Sequence, residues 1–284
     1  MTSLGKNHYG ERAVRFLRVR KSAGLDEVAE WETDVFLESD LVAPFQSEDN
    51  SSVASSAAIK NAILALACDV ESVPRDGFAL AVADRFLSHY ENVTSCEVEV
   101  REKLWTRLAP EGRPHPFFFI REAIGTPFSK VRRERGKTAH RSAGIRGITM
   151  MKTAEHGLSA FREPEFASRT QPVDGVLATS LDAEWEYSAD SDDLEAVVVD
   201  LMLEVFGETY SSSVQRALFQ MGEAALETFS DLSRIRLSLS SKHYLGFDAA
   251  GLGRPSNRER IFLPTDDPFG CVEAVVARNE AGKG

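Results

Sequence analysis

The stretch Arg12–Lys21 (RAVRFLRVRK) alternates apolar with basic residues, and Val28–Glu38 (VAEWETDVFLE) follows a similar alternation. A period of two residues is typical of strands that bury one face. The turn-forming residues Ser22-Ala23-Gly24 lie between the two stretches. The sequence therefore predicts a β-hairpin near the start of the chain.

Two helical stretches follow this hairpin. Isoleucines, leucines and alanines recur at helical spacing over Ser52–Asp69, and a second run of this kind covers Asp76–Asn92 after Pro74. Alternation returns over Thr94–Leu108, which predicts another strand. The first half of the chain thus has the order strand, strand, helix, helix, strand.

The same order recurs in the second half. The predicted elements are strands at Ala143–Thr153 and Val176–Tyr187, helices at Asp192–Phe206 and Ser212–Phe229, and a strand at Arg234–Tyr244. A repeat of this order after about 130 to 140 residues predicts an α+β fold made of two tandem halves. Each half has an antiparallel sheet with a helix pair on one face. We place the boundary near Lys137, which gives halves of residues 1–137 and 138–284.

The composition limits the classes of function. The 284 residues include 33 Lys and Arg against 44 Asp and Glu, a net charge of −11. Proteins that grip nucleic acid or an anionic membrane need a concentrated positive surface, so neither partner is expected. The one basic run, Lys130–Lys137, is expected to be a solvated strand or turn face.

The location of the protein is predicted from what the sequence lacks. No stretch approaches about 18 apolar residues, and the N-terminal segment has no apolar core of a signal peptide. The three cysteines are far apart and never form a C-x-x-C pair, which argues against disulfides and a thiolate metal site. We expect a cytoplasmic protein.

A search for common catalytic motifs finds none. Gly251-Leu252-Gly253 lacks the third glycine of a dinucleotide-binding loop, and no Walker lysine, His-Glu-x-x-His or Gly-x-Ser-x-Gly motif occurs. The six histidines lack metal-ligand spacing, so neither a metal nor another cofactor is expected. His243 stands out because it ends an alternating strand beside Lys242, although a lone histidine is more often structural.

Eight short motifs are spread over nearly the whole chain. They are Tyr9-Gly10, Val14-Arg15, Asp49-Asn50-Ser51, Lys60-Asn61, Gly147-Ile148-Thr149 with Lys152, Leu181-Asp182-Ala183 with Trp185, Ser213-Val214-Gln215, and Lys242-His243-Tyr244. In this order and at this spacing they resemble the urate oxidase (uricase) family. The resemblance implies the tunnelling fold, with two ββααββ-like halves per chain. It also implies a homotetramer whose active sites lie between subunits.

The resemblance implies a chemistry that needs no cofactor. Urate oxidases convert urate, O₂ and water to 5-hydroxyisourate and hydrogen peroxide. The protein orients the ring, favours its anion and relays protons. The expected partners are therefore a small heterocycle and O₂, and an empty motif search is what such a protein would give.

Part of the family's pocket is retained at matching positions. Val214 and Gln215 match the pair that contacts the flat ring, and Gln215 would form hydrogen bonds with its edge. His243 matches the relay histidine, and Ser56 stands where the family has its relay threonine. Ser56 also fits a second interpretation, a polar residue at the N-terminus of a helix.

Other positions differ from the family's pattern. The replacements are Glu11 for the lysine after Tyr-Gly, Gly175 for an arginine, Leu158 for the stacking phenylalanine, Ser241 for the asparagine before Lys-His, and Ala57 for the aspartate after the relay threonine. A charge-assisted hydrogen bond from the missing arginine to an anionic ring is worth about 1.5 to 3 kcal/mol. Replacing the lysine by Glu11 changes the local charge by two units, and one charge pair at about 4 Å is worth on the order of 4 kcal/mol at an effective dielectric constant near 20. Both replacements disfavour the binding of an anion, and together they exceed the roughly 1 kcal/mol expected from each neutral hydrogen bond of Gln215.

Three hypotheses follow for the function. The first is a cofactor-independent oxidase for a heterocycle other than urate, with Glu11, Ser56 and His243 as catalytic residues. Glu11 would act as a general base, although a solvated carboxylate at the start of a strand fits as well. The second is an active urate oxidase in which residues such as Arg162 or Arg169 fill the vacated roles. The third is a non-catalytic tetramer that binds a ligand or serves as a scaffold.

Overall fold

The protein is described by a computed structural model that covers residues 4–22, 24–39, 42–47, 49–70, 73–121, 124–154, 156, 176–187, 194–247, 250–253, 261–265 and 267–278. The chain divides into two compact units, Met1–Gly144 and Ile145–Gly284. The division falls inside a strand, a few residues after the boundary near Lys137 that the sequence suggests.

The first unit pairs a four-stranded sheet with two long helices. Its strands are β1 (His8–Arg20), β2 (Glu27–Ser39), β3 (Val93–Lys103), β4 (Thr106–Arg107), β5 (Phe119–Ile120) and β6 (Thr126–Glu134). Its helices are α1 (Ala43–Gln46), α2 (Ser56–Asp69) and α3 (Arg75–His89). The sheet is antiparallel in the order β1, β2, β3, β6, and β4 pairs separately with β5. The predicted hairpin is confirmed as β1 and β2.

One face of this sheet forms the core of the first unit. Thr33, Val35 and Leu37 of β2 are fully buried, and their neighbours in sequence are acidic or half-buried. α2 and α3 cover the buried face, and their fully or almost fully buried residues include Ile63 and Phe78. The alternation that predicts the strands therefore also identifies which side chains meet the helices.

The opposite face of the sheet carries paired charges. The guanidinium of Arg101 on β3 contacts the carboxylates of Glu32, Asp34 and Glu99 at 2.7 to 3.0 Å. The basic run Lys130–Lys137 covers the end of β6 and the turn after it, as the sequence suggests. Its cations pair with carboxylates: Lys130 with Glu97 and Arg132 with Glu38 on this face, Arg133 with Asp84 of α3 on the helix-covered face, and Lys137 with Glu134 in the turn.

The second unit is built around one long strand. The strands are β7 (His140–Lys152), which begins in the first unit, β8 (Leu177–Tyr187), β9 (Leu232–Gly246), β10 (Phe262–Thr265) and β11 (Cys271–Ala277), and the helices are α4 (Leu194–Glu208) and α5 (Val214–Thr228). β9 pairs with β8 along one side. Along its other side β9 pairs first with β11 and then with β10. α5 packs against both β9 and β11, and α4 packs against α5.

The predicted α+β class is confirmed, since each unit has an antiparallel sheet and a pair of helices. The sequence did not predict the short strands β10 and β11 as separate elements. Among the described residues, no helix is both long and apolar enough to cross a bilayer.

Candidate functional site

Glu11 lies on β1 immediately before a β-bulge. Glu11 is opposite Val35 of β2, whereas Val14 is opposite Thr33, so β1 has one residue more than β2 between these pairs. Directly opposed residues of an antiparallel pair share a face. Because Val35 and Thr33 are fully buried, both Glu11 and Val14 lie on the face that α2 and α3 cover. The Glu11 side chain is half-buried there.

The bulge has a strained residue and a side-chain anchor. Ala13 has a positive φ of 56°, a left-handed conformation that costs residues other than glycine about 1 to 2 kcal/mol. Its N–H donates to Oδ1 of Asp34 at 2.7 Å. Burial raises the pKa of Asp34, but the net shift is downward. The hydrogen bonds from Arg101 and Ala13 and the positive charges of Arg101 and Arg12 lower the pKa by more than burial raises it. The carboxylate is therefore held in its charged form as an acceptor.

Tyr9 connects this part of β1 to the start of α2. Tyr9 is two residues before Glu11 and so shares its face of the sheet. The Tyr9 hydroxyl accepts a hydrogen bond from the N–H of Ala54 at 3.3 Å. Burial raises the pKa of Tyr9, and the Ala54 hydrogen bond opposes that shift. β1 and α2 pack together, so Glu11 and Ser56 lie on neighbouring elements.

The N-terminus of α2 is capped by Ser55. The Ser55 hydroxyl accepts the N–H of Ala58 at 3.2 Å, which satisfies one of the free donors of the first turn. Ser56 and Ala57 occupy the first two helical positions, and both side chains are exposed. The capping function therefore belongs to Ser55, and the relay function of Ser56 stays a prediction.

Val214 and Gln215 occupy the matching positions of α5. Ser213 caps this helix by accepting the N–H of Arg216 at 3.0 Å. Val214 is half-buried and Gln215 is exposed. The sequence motif Ser213-Val214-Gln215 is thus a helix start that presents a side-chain amide to solvent.

The segment before α5 is held by the end of β7. Lys152 is 7 % exposed, and its ammonium donates to the carbonyl of Thr209 at 2.7 Å. His156 forms a parallel bridge with Ser211, which is 1 % exposed. These contacts fix the chain just before Ser213. In the sequence Lys152 is recognisable only as part of a motif, because its partner is a backbone carbonyl 57 residues away.

Ser241 and His243 lie where β9 changes partner strands. Pairing with β11 ends at Ser240, and the Ser241 N–H donates to the carbonyl of Gly270 at 2.8 Å. Pairing with β10 begins at His243, which is opposite Thr265. The side chains of Ser241 and His243 are both half-buried. Ser241 and His243 therefore lie on the stretch of β9 between its two partner strands.

The predicted site residues fall into two groups. The first unit holds Glu11, Ser56 and Ala57, and the second holds Val214, Gln215, Ser241 and His243. Leu158 and Gly175 lie outside the described residues. The two groups offer a carboxylate, hydroxyls, an amide and an imidazole, which can exchange protons and form hydrogen bonds. Within the described ranges, no group of three or more His, Cys, Asp or Glu residues is placed to hold a metal ion.

A groove of about 680 Å³ lies elsewhere on the first unit. It runs between Phe16–Lys21, at the end of β1, and residues Leu64, Ala67 and Cys68 of α2. It contains none of the predicted site residues, and the cations Arg20 and Lys21 at its edge pair with Glu27 and Asp26. We assign it no part in the site.

Comparison with known proteins identifies the family. The family model named Uricase matches residues 7–132 and 141–273, which include every predicted site residue. The chain belongs to the uricase family. Uricase-2 of Phaseolus vulgaris is 30 % identical and covers 96 % of this chain and 95 % of its own length. Uricase of Arabidopsis thaliana is 29 % identical, with 95 % of this chain and 94 % of the relative aligned.

Solved structures of uricases have the same fold. The crystal structure of uricase from Arthrobacter globiformis superposes with a TM-score of 0.89 at 27 % identity, covering 100 % of this chain and 97 % of that one. A uricase from Bacillus fastidious superposes with a TM-score of 0.81 at 18 % identity, which shows the fold alone. The chain is therefore a member of a family of oxidoreductases and has the tunnelling fold of that family.

Proposed function

We propose that this protein is an oxidase that converts urate, O₂ and water to 5-hydroxyisourate and hydrogen peroxide without a cofactor. The observation that carries the proposal is the family match, which extends over both halves and includes every predicted site residue. The relatives reported above are all uricases, and each aligns with nearly the whole chain. The hypothesis of a substrate other than urate gains no support from them.

The described residues suit proton relay and ring binding. The Ser56 hydroxyl and the His243 imidazole can each accept and donate a proton. Val214 would contact the flat face of the ring, and the exposed amide of Gln215 would form hydrogen bonds with its edge. Both lie at the start of α5, where free backbone N–H groups favour a bound anion by about 0.3 to 1 kcal/mol.

The proposed assembly is a homotetramer in the cytoplasm. Glu11 and Ser56 belong to one unit of the chain, and Gln215 and His243 belong to the other. In a tetramer with sites between subunits, the first group of one subunit completes the second group of its neighbour. Light scattering of the purified protein measures the number of subunits directly.

A second candidate function rests on Glu11. Its half-buried carboxylate occupies the position of a lysine in the family's pattern, on the helix-covered face of β1. Facing an anionic ring at about 4 Å, a carboxylate is unfavourable by on the order of 4 kcal/mol at an effective dielectric constant near 20. A neutral or cationic heterocycle avoids this repulsion and allows Glu11 to act as a base. A non-catalytic, ligand-binding tetramer is the third possibility that an experiment must separate.

The test uses protein treated with a chelator and then mixed with urate in air. The proposal predicts loss of the near-ultraviolet urate band, uptake of O₂ and one hydrogen peroxide per urate consumed. His243→Gln should abolish turnover, whereas His89→Gln, at an exposed position on α3, serves as a control and should not. Peroxide release only with another heterocycle would favour the second candidate. Failure of all tested heterocycles to react or bind would contradict both oxidase proposals.

A further inference from the structure

The two halves of the chain contain the same hydrogen bond at equivalent places. In the first half the N–H of Ala13 donates to Oδ1 of Asp34 at 2.7 Å. In the second half the N–H of Gly147 donates to Oδ1 of Asp182 at 2.8 Å. Both donors have positive φ values, 56° for Ala13 and 78° for Gly147. The flanking sequences also agree, since Gly10-Glu11-Arg12-Ala13-Val14 corresponds to Gly144-Ile145-Arg146-Gly147-Ile148.

The bulge decides which residue of β1 lies beside Val14 on the helix-covered face. In a regular strand, residues three apart point to opposite faces, yet Glu11 and Val14 both lie on the covered face. Arg12 points the other way, with its guanidinium 4.8 Å from the centre of the Phe36 ring. If β1 were regular and had no bulge, the residue two positions before Val14 would lie on the same face as Val14. That residue is Arg12, so a guanidinium would replace the Glu11 carboxylate on the helix-covered face.

The second half has a different residue at the position that corresponds to Glu11. Ile145 and Ile148 are also three apart, and they are 5 % and 3 % exposed. Ile145 takes the place of Glu11, so the second half has an apolar residue where the first has a carboxylate. The hydrogen bond is therefore shared by both halves, and only the first half has an ionisable group at this position.

The bulge in β1 requires a hydrogen-bond acceptor to stabilise it, because the residue with positive φ is alanine rather than glycine. Ala13 adopts a conformation that residues with a side chain rarely adopt, whereas Gly147 adopts it freely. The Asp34 side chain is 14 % exposed and is fixed by Arg101 at 2.7 Å. Arg101 in turn contacts Glu32 and Glu99. The Asp34 carboxylate that accepts the Ala13 N–H is thus fixed by Arg101, which is itself fixed by two further carboxylates.

We propose that Asp34 is a positioning residue: through the Ala13 N–H it fixes the bulge that directs Glu11, rather than Arg12, toward the helix-covered face. The effect of Asp34 on turnover rests on the second candidate function, in which Glu11 acts as a base, but its effect on the direction of Glu11 does not. Asp182 provides a matched control, since it makes the same hydrogen bond in the half that lacks the carboxylate.

The structural test compares crystal structures of the wild type, Asp34→Ala and Asp182→Ala. Asp34→Ala should displace Glu11 from its position opposite Val35, and Asp182→Ala should leave Glu11 where it is. Adding Ala13→Gly to Asp34→Ala should restore Glu11, because glycine adopts the bulge conformation without an anchor. A Glu11 carboxylate that stays in its wild-type position in Asp34→Ala would overturn the proposal. If that variant does not fold, Asp34→Leu combined with Ala13→Gly and Asp34→Leu alone make the same comparison in a site filled by an apolar side chain.

The kinetic test is a double-mutant cycle on turnover. With a heterocycle for which Glu11 acts as the base, Asp34→Ala should lower kcat about tenfold or more, because misplacing a reacting group by about 1 Å can cost 10²-fold. In a Glu11→Gln background the same substitution should have no further effect. Asp182→Ala should have an equal effect in both backgrounds. An Asp34→Ala effect of the same size with and without Glu11 would overturn the proposal. If the wild type oxidises no tested heterocycle, the proposed function fails, and the crystal structures alone decide the role of Asp34.

Discussion

Gly10→Ala is expected to disrupt the hairpin beside Glu11. An alanine Cβ at this position would lie 1.8 Å from the carbonyl oxygen of Val35, 2.8 Å from its carbonyl carbon and 3.0 Å from Cα of Phe36. All three neighbours are backbone atoms, so no side chain can rotate away to make room. β1 and β2 must separate locally, which strains the ladder just before the bulge.

The size of the effect follows from these contacts. Overpacking costs about 1 to 3 kcal/mol, and occasionally more. Each weakened ladder hydrogen bond adds about 0.5 to 1.5 kcal/mol. We expect a loss of roughly 3 to 4 kcal/mol in the free energy of unfolding. At about 2 to 4 °C per kcal/mol, the melting temperature should fall by roughly 6 to 16 °C.

The assay is thermal unfolding followed by circular dichroism at matched protein concentration, since assembly affects the melting temperature. Gly24→Ala in the turn of the same hairpin is the control. An added Cβ at Gly24 meets nothing within 4 Å, so this variant should stay within about 0.5 kcal/mol of the wild type. A Gly10→Ala protein that melts at the wild-type temperature would show that the strands are not packed as described.

The remaining predictions concern stability and its dependence on pH. Ser213→Ala removes the cap of α5 and should cost about 1 kcal/mol in urea unfolding; an unchanged midpoint would contradict the capping role. Lys152→Met leaves the carbonyl of Thr209 without its donor, should cost about 1 to 3 kcal/mol and should raise the KM for urate. A normal KM would show that this lysine does not position the start of α5. Burial raises the pKa of Asp34, but Arg101 and the hydrogen bond from the Ala13 N–H lower it by more, so the net shift is downward. The ionised Asp34 carboxylate should stabilise the fold fully above the unfolded-state pKa of about 3.9, and this stabilisation should be lost as the pH falls through the lower folded-state pKa. Urea unfolding between about pH 2.5 and 7 should therefore show a flatter acid limb for Asp34→Asn; equal slopes would contradict this.

The fold was predictable where the hydrophobic period is regular. β1, β2, β8, α2 and α5 each have a clear period in the sequence, and the structure begins and ends them within a few residues of the predictions. β6 was harder to recognise because it carries a run of cations; Val131, opposite Val98, is buried on the helix-covered face, whereas Phe128, opposite Arg101, is buried on the other face. β10 and β11 are short, with 4 and 7 residues, so they offer too few periods to distinguish them from loops.

The site was less predictable because it depends on contacts between distant residues. The bulge beside Glu11 needs Asp34, which is 21 residues away in the sequence. One signal of the bulge was present in the sequence. The residues of β1 on the helix-covered face have odd numbers up to Glu11 and even numbers from Val14 onward. The sequence likewise could not choose between Ser55 and Ser56 as the cap of α2, because adjacent serines are chemically equivalent as caps.

The most direct test of the central proposal is the reaction of the chelator-treated protein with urate in air. The near-ultraviolet band of urate should disappear while O₂ is consumed and hydrogen peroxide accumulates in a ratio of one to one with urate lost. A urate band that persists, with no O₂ uptake and no peroxide from a folded tetramer, would contradict it.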